Sequence, residues 1–242
     1  MAIDLEKRAE TVRIILEKKQ IVQAPAMRVG LALDISGSAR GLYASGVMQE
    51  TVSRLLAVAM RFDDNGELDM WTFHNAFQRL SSANRSNYER FVQKEILDNN
   101  RVSKWGGTSY SPVMNDVIDL YFRTQAAAPR PAGGFLSGLF GRKPQAQAQT
   151  NASEMPAMCM FVTDGANDDR AQAAAVMRAA KDHPLYWQLV GVGDPREFGF
   201  LKSMADELPN VGFVHLPRLD LSDEDLYEKL LSDELCTWVK GR

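Results

Sequence analysis

The chain has 242 residues, 45% of them hydrophobic, and a formal charge of −3, room for one sizeable α/β domain, with two compact domains possible but not required. Neither end is strongly basic, so no nucleic-acid footprint is visible, and no stretch reaches the length of a membrane span. Charges at Asp4, Glu6 and Lys7 stand where a signal peptide needs its apolar core, and two cysteines, Cys159 and Cys236, do not suggest a disulfide framework. The expectation is a soluble cytoplasmic protein.

Residues 4–19 predict a helix, with Leu5, Val12, Ile15 and Leu16 as an apolar stripe and charges on the opposite face. Pro25 separates it from the first strand, so residues 1–24 are expected as a helix packed on a domain spanning 25–242. The apolar run Val29-Gly30-Leu31-Ala32-Leu33 has the length of a core strand and leads into Asp34-Ile35-Ser36-Gly37-Ser38. A helix over about 46–62 comes next, with Val47, Leu55, Val58, Ala59 and Phe62 at helical spacing, until Asp63-Asp64-Asn65-Gly66 turns the chain. Residues 68–73 predict the second strand. His74-Asn75 can fold it into a hairpin with 76–80, which would be one antiparallel strand at the sheet edge.

A third helix is predicted over 86–97. Ser111 and Pro112 suit the N-cap and first position of another, running to about 123. Residues 157–163 are strongly apolar and end in Asp164-Gly165. Helix, strand, helix and strand then succeed one another over about 169–181, 186–192, 196–207 and 211–215, and Ser222-Asp223-Glu224-Asp225 opens a last helix with a cap and an acidic first turn. This alternation argues for a parallel sheet covered by helices on both faces. Composition changes abruptly over 125–154, which is expected as a mobile insertion. Within it, the apolar cluster of 135–140 followed by Arg142 and Lys143 reads either as a loosely packed linker or as a docking peptide. It has too few apolar residues for a stable membrane anchor, so any such contact through 135–143 should be weak and peripheral.

Asp34, Ser36 and Ser38 put three oxygen-bearing side chains at alternate positions, and Gly37 between the serines permits a positive φ and a tight curl. Converging on one point, they form a hard-oxygen set suited to Mg²⁺, Mn²⁺ or Ca²⁺ rather than to zinc or copper. The triplet alone is weak: average residue usage produces it in roughly one chain in fifteen of this size, and a serine there can simply cap a helix. Two further segments add weight. In an open parallel sheet ligands bind beyond the carboxyl ends of the strands, where Asp34 and Asp164 both fall. Gly106-Gly107-Thr108 offers another hydroxyl on a flexible turn before a helix.

Asp34-x-Ser36-x-Ser38, then Thr108, then Asp164-Gly165 after an apolar strand resembles the metal-ion-dependent adhesion site of von Willebrand factor A domains, over roughly residues 27–216. The leading charged helix, Leu68-Asp69-Met70-Trp71-Thr72-Phe73 and Trp105-Gly106-Gly107-Thr108 look like the bacterial tellurium-resistance, TerF-type branch. The resemblance implies a doubly wound, Rossmann-like, mostly parallel six-stranded sheet of order 3-2-1-4-5-6. It implies that Ser36 and Ser38 ligate a metal directly, Thr108 directly or through water, and Asp34 and Asp164 directly or through bridging waters. A protein partner's Asp or Glu would then complete the sphere, in a cytoplasmic response to tellurite and chemical stress. Arg40, Tyr43, Trp105 and Tyr110 flank the ligands and are candidates for a contact rim.

Two other readings stand beside this one. A metal-dependent hydrolase would need a positioned base, yet His74, His183 and His215 show no metal-ligand spacing. A structural adaptor would use the metal only as a staple. Gly191-Val192-Gly193-Asp194 lacks the third glycine of a dinucleotide fingerprint.

Overall fold

The computed structural model describes residues 5–63, 65–123 and 155–242. Six strands, β1 (Arg28–Asp34), β2 (Asp69–Phe73), β3 (Phe77–Arg79), β4 (Ala157–Thr163), β5 (Leu185–Val192) and β6 (Val211–Leu216), form one sheet of order β3-β2-β1-β4-β5-β6. All neighbours pair in parallel except β2 with β3, whose antiparallel register sets Phe73 opposite Phe77. β4 and β5 are buried at every position, as befits inner strands covered on both faces, whereas β3 is exposed throughout and forms the edge.

The period of two along each strand sorts side chains into two cores. Val29, Leu31 and Leu33 of β1 and Met158, Met160 and Val162 of β4 face one core, shared with helices α1 (Leu5–Lys18), α3 (Val47–Phe62), α7 (Asp223–Leu230) and α8 (Asp233–Lys240). Ala32, Cys159 and Phe161 face the other, built with α4 (Ser111–Ile118), α5 (Arg170–Ala179) and α6 (Gly199–Glu207). Cys159 and Cys236 are buried on opposite faces of the sheet.

Helix α1 lies against α3 and α7. Its Arg8, 1% exposed, pairs with Glu50 of α3 and, at 3.2 Å, with Asp223 at the start of α7. Arg54 of α3 completes the cluster, 3.3 Å from Glu50 and 3.0 Å from Asp223.

Three local elements depart from the sequence expectation. A short helix, α2 (Arg40–Ala44), precedes α3. The stretch expected as one helix over 86–97 is a 3₁₀ turn, Tyr88–Arg90, and a π-helical segment, Val92–Leu97. The cause is Gln49 of α3: its amide donates to the Tyr88 carbonyl at 2.6 Å and accepts from the Val92 N–H at 2.9 Å, the two groups an α-helix would have joined to each other. The helix after Ser111 is α-helical to Ile118 and π-helical over Asp119–Arg123. The segment expected as an insertion, 125–154, lies outside the described residues.

Candidate metal centre

Strand order reverses at β1, which has β2 on one side and β4 on the other. The carboxyl ends of β1 and β4 are therefore adjacent, and Leu33 pairs with Val162 one residue before each strand's final position. Asp34 closes β1 and is fully buried. Its Oδ1 accepts the Ser36 N–H at 2.8 Å and its Oδ2 accepts the Thr163 hydroxyl at 2.6 Å. The Ser36 and Ser38 hydroxyls lie 3.1 Å apart, and Ser38 Oγ donates to Asp164 Oδ1 at 2.9 Å. Asp34, Ser36, Ser38 and Asp164 thus form one hydrogen-bonded string across two loops.

The third loop is laced to the first by backbone bonds. Trp105 N–H donates to the Ile35 carbonyl at 2.8 Å, and Gly37 N–H donates to the Gly106 carbonyl at 2.9 Å. A Cβ on Gly106 would lie 2.3 Å from Asn75 Oδ1 and 2.5 Å from Nδ1 of the buried His74, so a side chain there would have to displace that ring. His74 therefore packs on this loop, closer to the centre than its place in the sequence suggests. Trp105 adopts φ +67°, a left-handed conformation uncommon for a bulky residue and often found where a functional loop is held under strain. Thr108 is buried, and Asp168 holds it twice: the Thr108 N–H donates to Asp168 Oδ2 at 3.3 Å, and the Asp168 N–H donates to the Thr108 carbonyl at 2.8 Å.

Burial pushes the Asp34 carboxyl up to about 6, against the pull of the bonds from Ser36 and Thr163. Burial also raises Asp164, with Ser38 opposing it. Among the described residues neither carboxylate forms an ion pair, and no group of three or more His, Cys, Asp or Glu side chains is placed to hold a metal. The donors joined by hydrogen bonds are instead two carboxylates and two hydroxyls, all hard oxygen, with the Thr108 loop laced to them through the Gly37–Gly106 backbone bond. A buried carboxylate and a half-buried one without a counter-charge fit a cation supplied from outside.

Four residues that the motif does not name hold this arrangement. Thr163 orients Asp34. Tyr43 is buried and donates to the Asp34 carbonyl at 3.0 Å. Asp168 holds Thr108, and Asp169 takes the Tyr110 and Ser111 N–H groups at 2.9 and 2.8 Å. Asp169, rather than the Ser111 side chain, therefore satisfies the start of α4. In the sequence only the polar run Asn167-Asp168-Asp169 hints at these clamps.

Two expectations need correction. Gly37 does not take a positive φ; the turn closes because the Asp34 carboxylate and the Gly106 carbonyl hold the Ser36 and Gly37 N–H groups. Tyr43 and Tyr110 do not form a contact rim, since both are buried and the Tyr110 hydroxyl donates to the Gly165 carbonyl at 2.7 Å. Arg40 is exposed, its guanidinium 5.6 Å from the centre of the half-buried Trp105 ring.

Residues 26–131 and 142–242 match the family model vWA-TerF-like, the von Willebrand factor A domain found in the TerF C terminus. The chain belongs to the TerF-like von Willebrand factor A family. This TerF-like chain is 36% identical over 243 residues to YcbR of Bacillus subtilis (strain 168), an uncharacterized protein, covering 98% of the chain and 86% of YcbR. Solved structures share the fold at lower identity. Proximal thread matrix protein 1 from mussel byssus superposes with a TM-score of 0.57 at 13% identity, covering 88% of this chain and 49% of the mussel protein. The ArnB paralog VWA2 from Sulfolobus acidocaldarius gives 0.51 at 14%, covering 85% and 45%. A further mussel structure, with a zinc-occupied adhesion-site motif, gives 0.51 at 15%, covering 88% and 46%. The TerF-like chain thus spans about half the length of each of these neighbours.

Proposed function

We propose that this chain is a non-enzymatic protein-interaction module whose Asp34, Ser36, Ser38, Thr108 and Asp164 hold one divalent cation, Mg²⁺ or else Mn²⁺ or Ca²⁺. The observation that carries the reading is the string Asp34–Ser36–Ser38–Asp164, a buried and a half-buried carboxylate linked through the Ser36 N–H and the Ser36 and Ser38 hydroxyls, neither of them in an ion pair among the described residues. The zinc-occupied motif of the mussel neighbour supports a metal in this fold. When bound, the cation would supply an electrophilic centre for an added anion, since three of its five protein donors are neutral. A partner's Asp or Glu is the anion we assign to it. The chain's own residues do the positioning: Thr163 and the Ser36 N–H fix the Asp34 carboxylate, and Asp168 fixes Thr108.

The family's TerF kinship supports a place in tellurite and chemical-stress response, in the cytoplasm. Among the described residues no helix is long and apolar enough to cross a membrane. The cysteines lie on opposite faces of the sheet, and burial raises both thiols, so they do not form a thiol pair for tellurium chemistry.

The test uses Asp34→Asn, because alanine at this buried position would strip partners from both the Ser36 N–H and the Thr163 hydroxyl. Titration calorimetry with Mg²⁺ and Mn²⁺ should show affinity lowered on the order of tenfold or more in a variant that stays folded by circular dichroism. Partner capture should likewise fall in EDTA. Equal metal affinity in variant and wild type would overturn the site.

A further inference from the structure

A cavity of about 450 Å³ opens beside the metal centre, and Ser38 and Asp164 form part of its wall. The rest of the wall is mainly apolar: Leu42 and Val47 at the start of the α2–α3 segment, Val192 at the end of β5, and Pro217 and Leu219 after β6. Arg54 of the buried charge cluster donates to the Leu219 carbonyl at 2.9 Å, which ties this part of the lining to α3. At the mouth Arg218 is largely exposed, 2.8 Å from Asp220.

Chemistry limits what such a cleft accepts. One wall carries the oxygen donors assigned to a cation, so the group that meets it is an anion. The rest of the lining offers Leu, Val and Pro surface, which rewards a large apolar group. The volume falls within the range of ordinary ligand sites, enough for one bulky side chain and adjoining backbone. A free inorganic anion would leave the apolar wall unmatched. Arg218 and Asp220 both line the cavity and offset each other as an ion pair, so the draw on an acidic ligand falls to the assigned cation.

Resting on the metal reading above, we infer that this cleft is the specificity subsite of the centre. It takes the large apolar side chain that adjoins the partner's metal-binding Asp or Glu. The recognised element is therefore a short peptide segment that pairs an acidic residue with Phe, Leu or Met, rather than any exposed carboxylate.

Gly41 provides a clean way to close the cleft. It lines the cavity, its φ is not positive, and a Cβ added there meets no atom within 4 Å. Gly41→Leu should therefore fill the space without backbone strain and without touching a ligand of the metal. The second variant, Leu42→Ala, removes part of the wall instead.

The probes are the blocked dipeptides acetyl-Asp-Phe-amide, acetyl-Phe-Asp-amide and acetyl-Asp-Ala-amide, titrated by NMR into the full chain saturated with Mg²⁺. At least one Phe peptide should bind on the order of tenfold more tightly than the Ala peptide, the usual return for burying a large side chain. Shifts should fall on Val192, Gly193 and Leu219. Both variants should bind Mg²⁺ as wild type does and lose the Phe preference; if one fails to fold, the other decides. If wild type binds Mg²⁺ but shows no Phe preference, or no peptide binding at all, the subsite is refuted while the metal reading stands. If wild type binds no Mg²⁺, the metal reading itself fails and the subsite with it.

Discussion

Thr163 is the residue on which the orientation of Asp34 depends. A buried carboxylate with one oxygen bonded to a backbone N–H can still swing about its side-chain torsion, and the 2.6 Å bond from the Thr163 hydroxyl holds the other oxygen. The Tyr110 hydroxyl, 3.1 Å from Thr163 Oγ1, backs this contact from behind. Thr163→Val keeps the shape and removes the hydroxyl, so Asp34 is left short of one buried partner. Unfolding in EDTA should show a loss of about 1–3 kcal/mol, the cost of an unsatisfied buried polar group. Mg²⁺ affinity should fall on the order of 10- to 100-fold by calorimetry, as for residues that orient a metal's ligands. Unchanged affinity would show that Ser36 alone orients the carboxylate. At this scale the meeting of Asp34, Ser36, Ser38 and Asp164 was legible in the sequence because oxygen donors at strand ends carry a chemical signature; that these four and Thr108 hold a cation is the proposal under test. Thr163 was not legible, since a threonine closing a strand is unremarkable until the sheet register sets it against Asp34.

At the scale of elements, the β4–α5 loop does more than carry Asp164. Asp169 begins α5 yet spends its carboxylate on the first N–H groups of α4 and on the Asn167 amide at 2.8 Å. Burial alone would raise this carboxyl, but the bonds from Ser111, Tyr110 and Asn167 outweigh it and hold it below its ordinary value of 3.8. A carboxyl depressed in the folded state stabilises the protein above pH 3.8 and loses that contribution as pH falls through its folded value. Asp169→Ala should cost about 1–2 kcal/mol in urea unfolding at neutral pH, the worth of a strong helix cap. The gap to wild type should narrow as the pH drops below 3.8; a gap independent of pH would mean that packing, not the carboxylate, is at work. The strands and their order were legible because inner parallel strands read as unbroken apolar runs and the family resemblance supplied the order. The interrupted helix at Tyr88–Leu97 was not, because the breaker is Gln49, some forty residues upstream and an ordinary helix surface residue by local pattern.

For the whole molecule, the cluster of Arg8, Arg54, Glu50 and Asp223 ties α1, α3 and α7 together. Breaking one side of a buried ion pair costs about 3–5 kcal/mol because the remaining charge is stranded. The Glu50 side chain keeps 35% of its exposure and Asp223 keeps 26%, so water relieves part of that penalty. Arg8→Ala should therefore destabilise the chain by roughly 3 kcal/mol in urea unfolding, at the low end of that range. A loss below ~1 kcal/mol, the level of a surface pair, would show that the cluster contributes little. Sequence patterning anticipated that α1 packs by its apolar stripe, but it assigned the charges to the solvent face. Arg8 is the exception, since its partners come from 42 and 215 residues away.

The position of Arg8 bears on where one unit of this chain begins. The family match starts at residue 26, yet a side chain in the eighth position is buried among the charges of α3 and α7. Through Arg54 the same cluster reaches the Leu219 carbonyl, on the wall of the cleft beside the metal centre. A piece cut where the family model starts would keep every candidate ligand, but it would bare the face of α3 that α1 covers and leave two acids to share one guanidinium. The family model and the physical module therefore have different left-hand edges, and the shortest fragment with its charges balanced includes the first turn of α1.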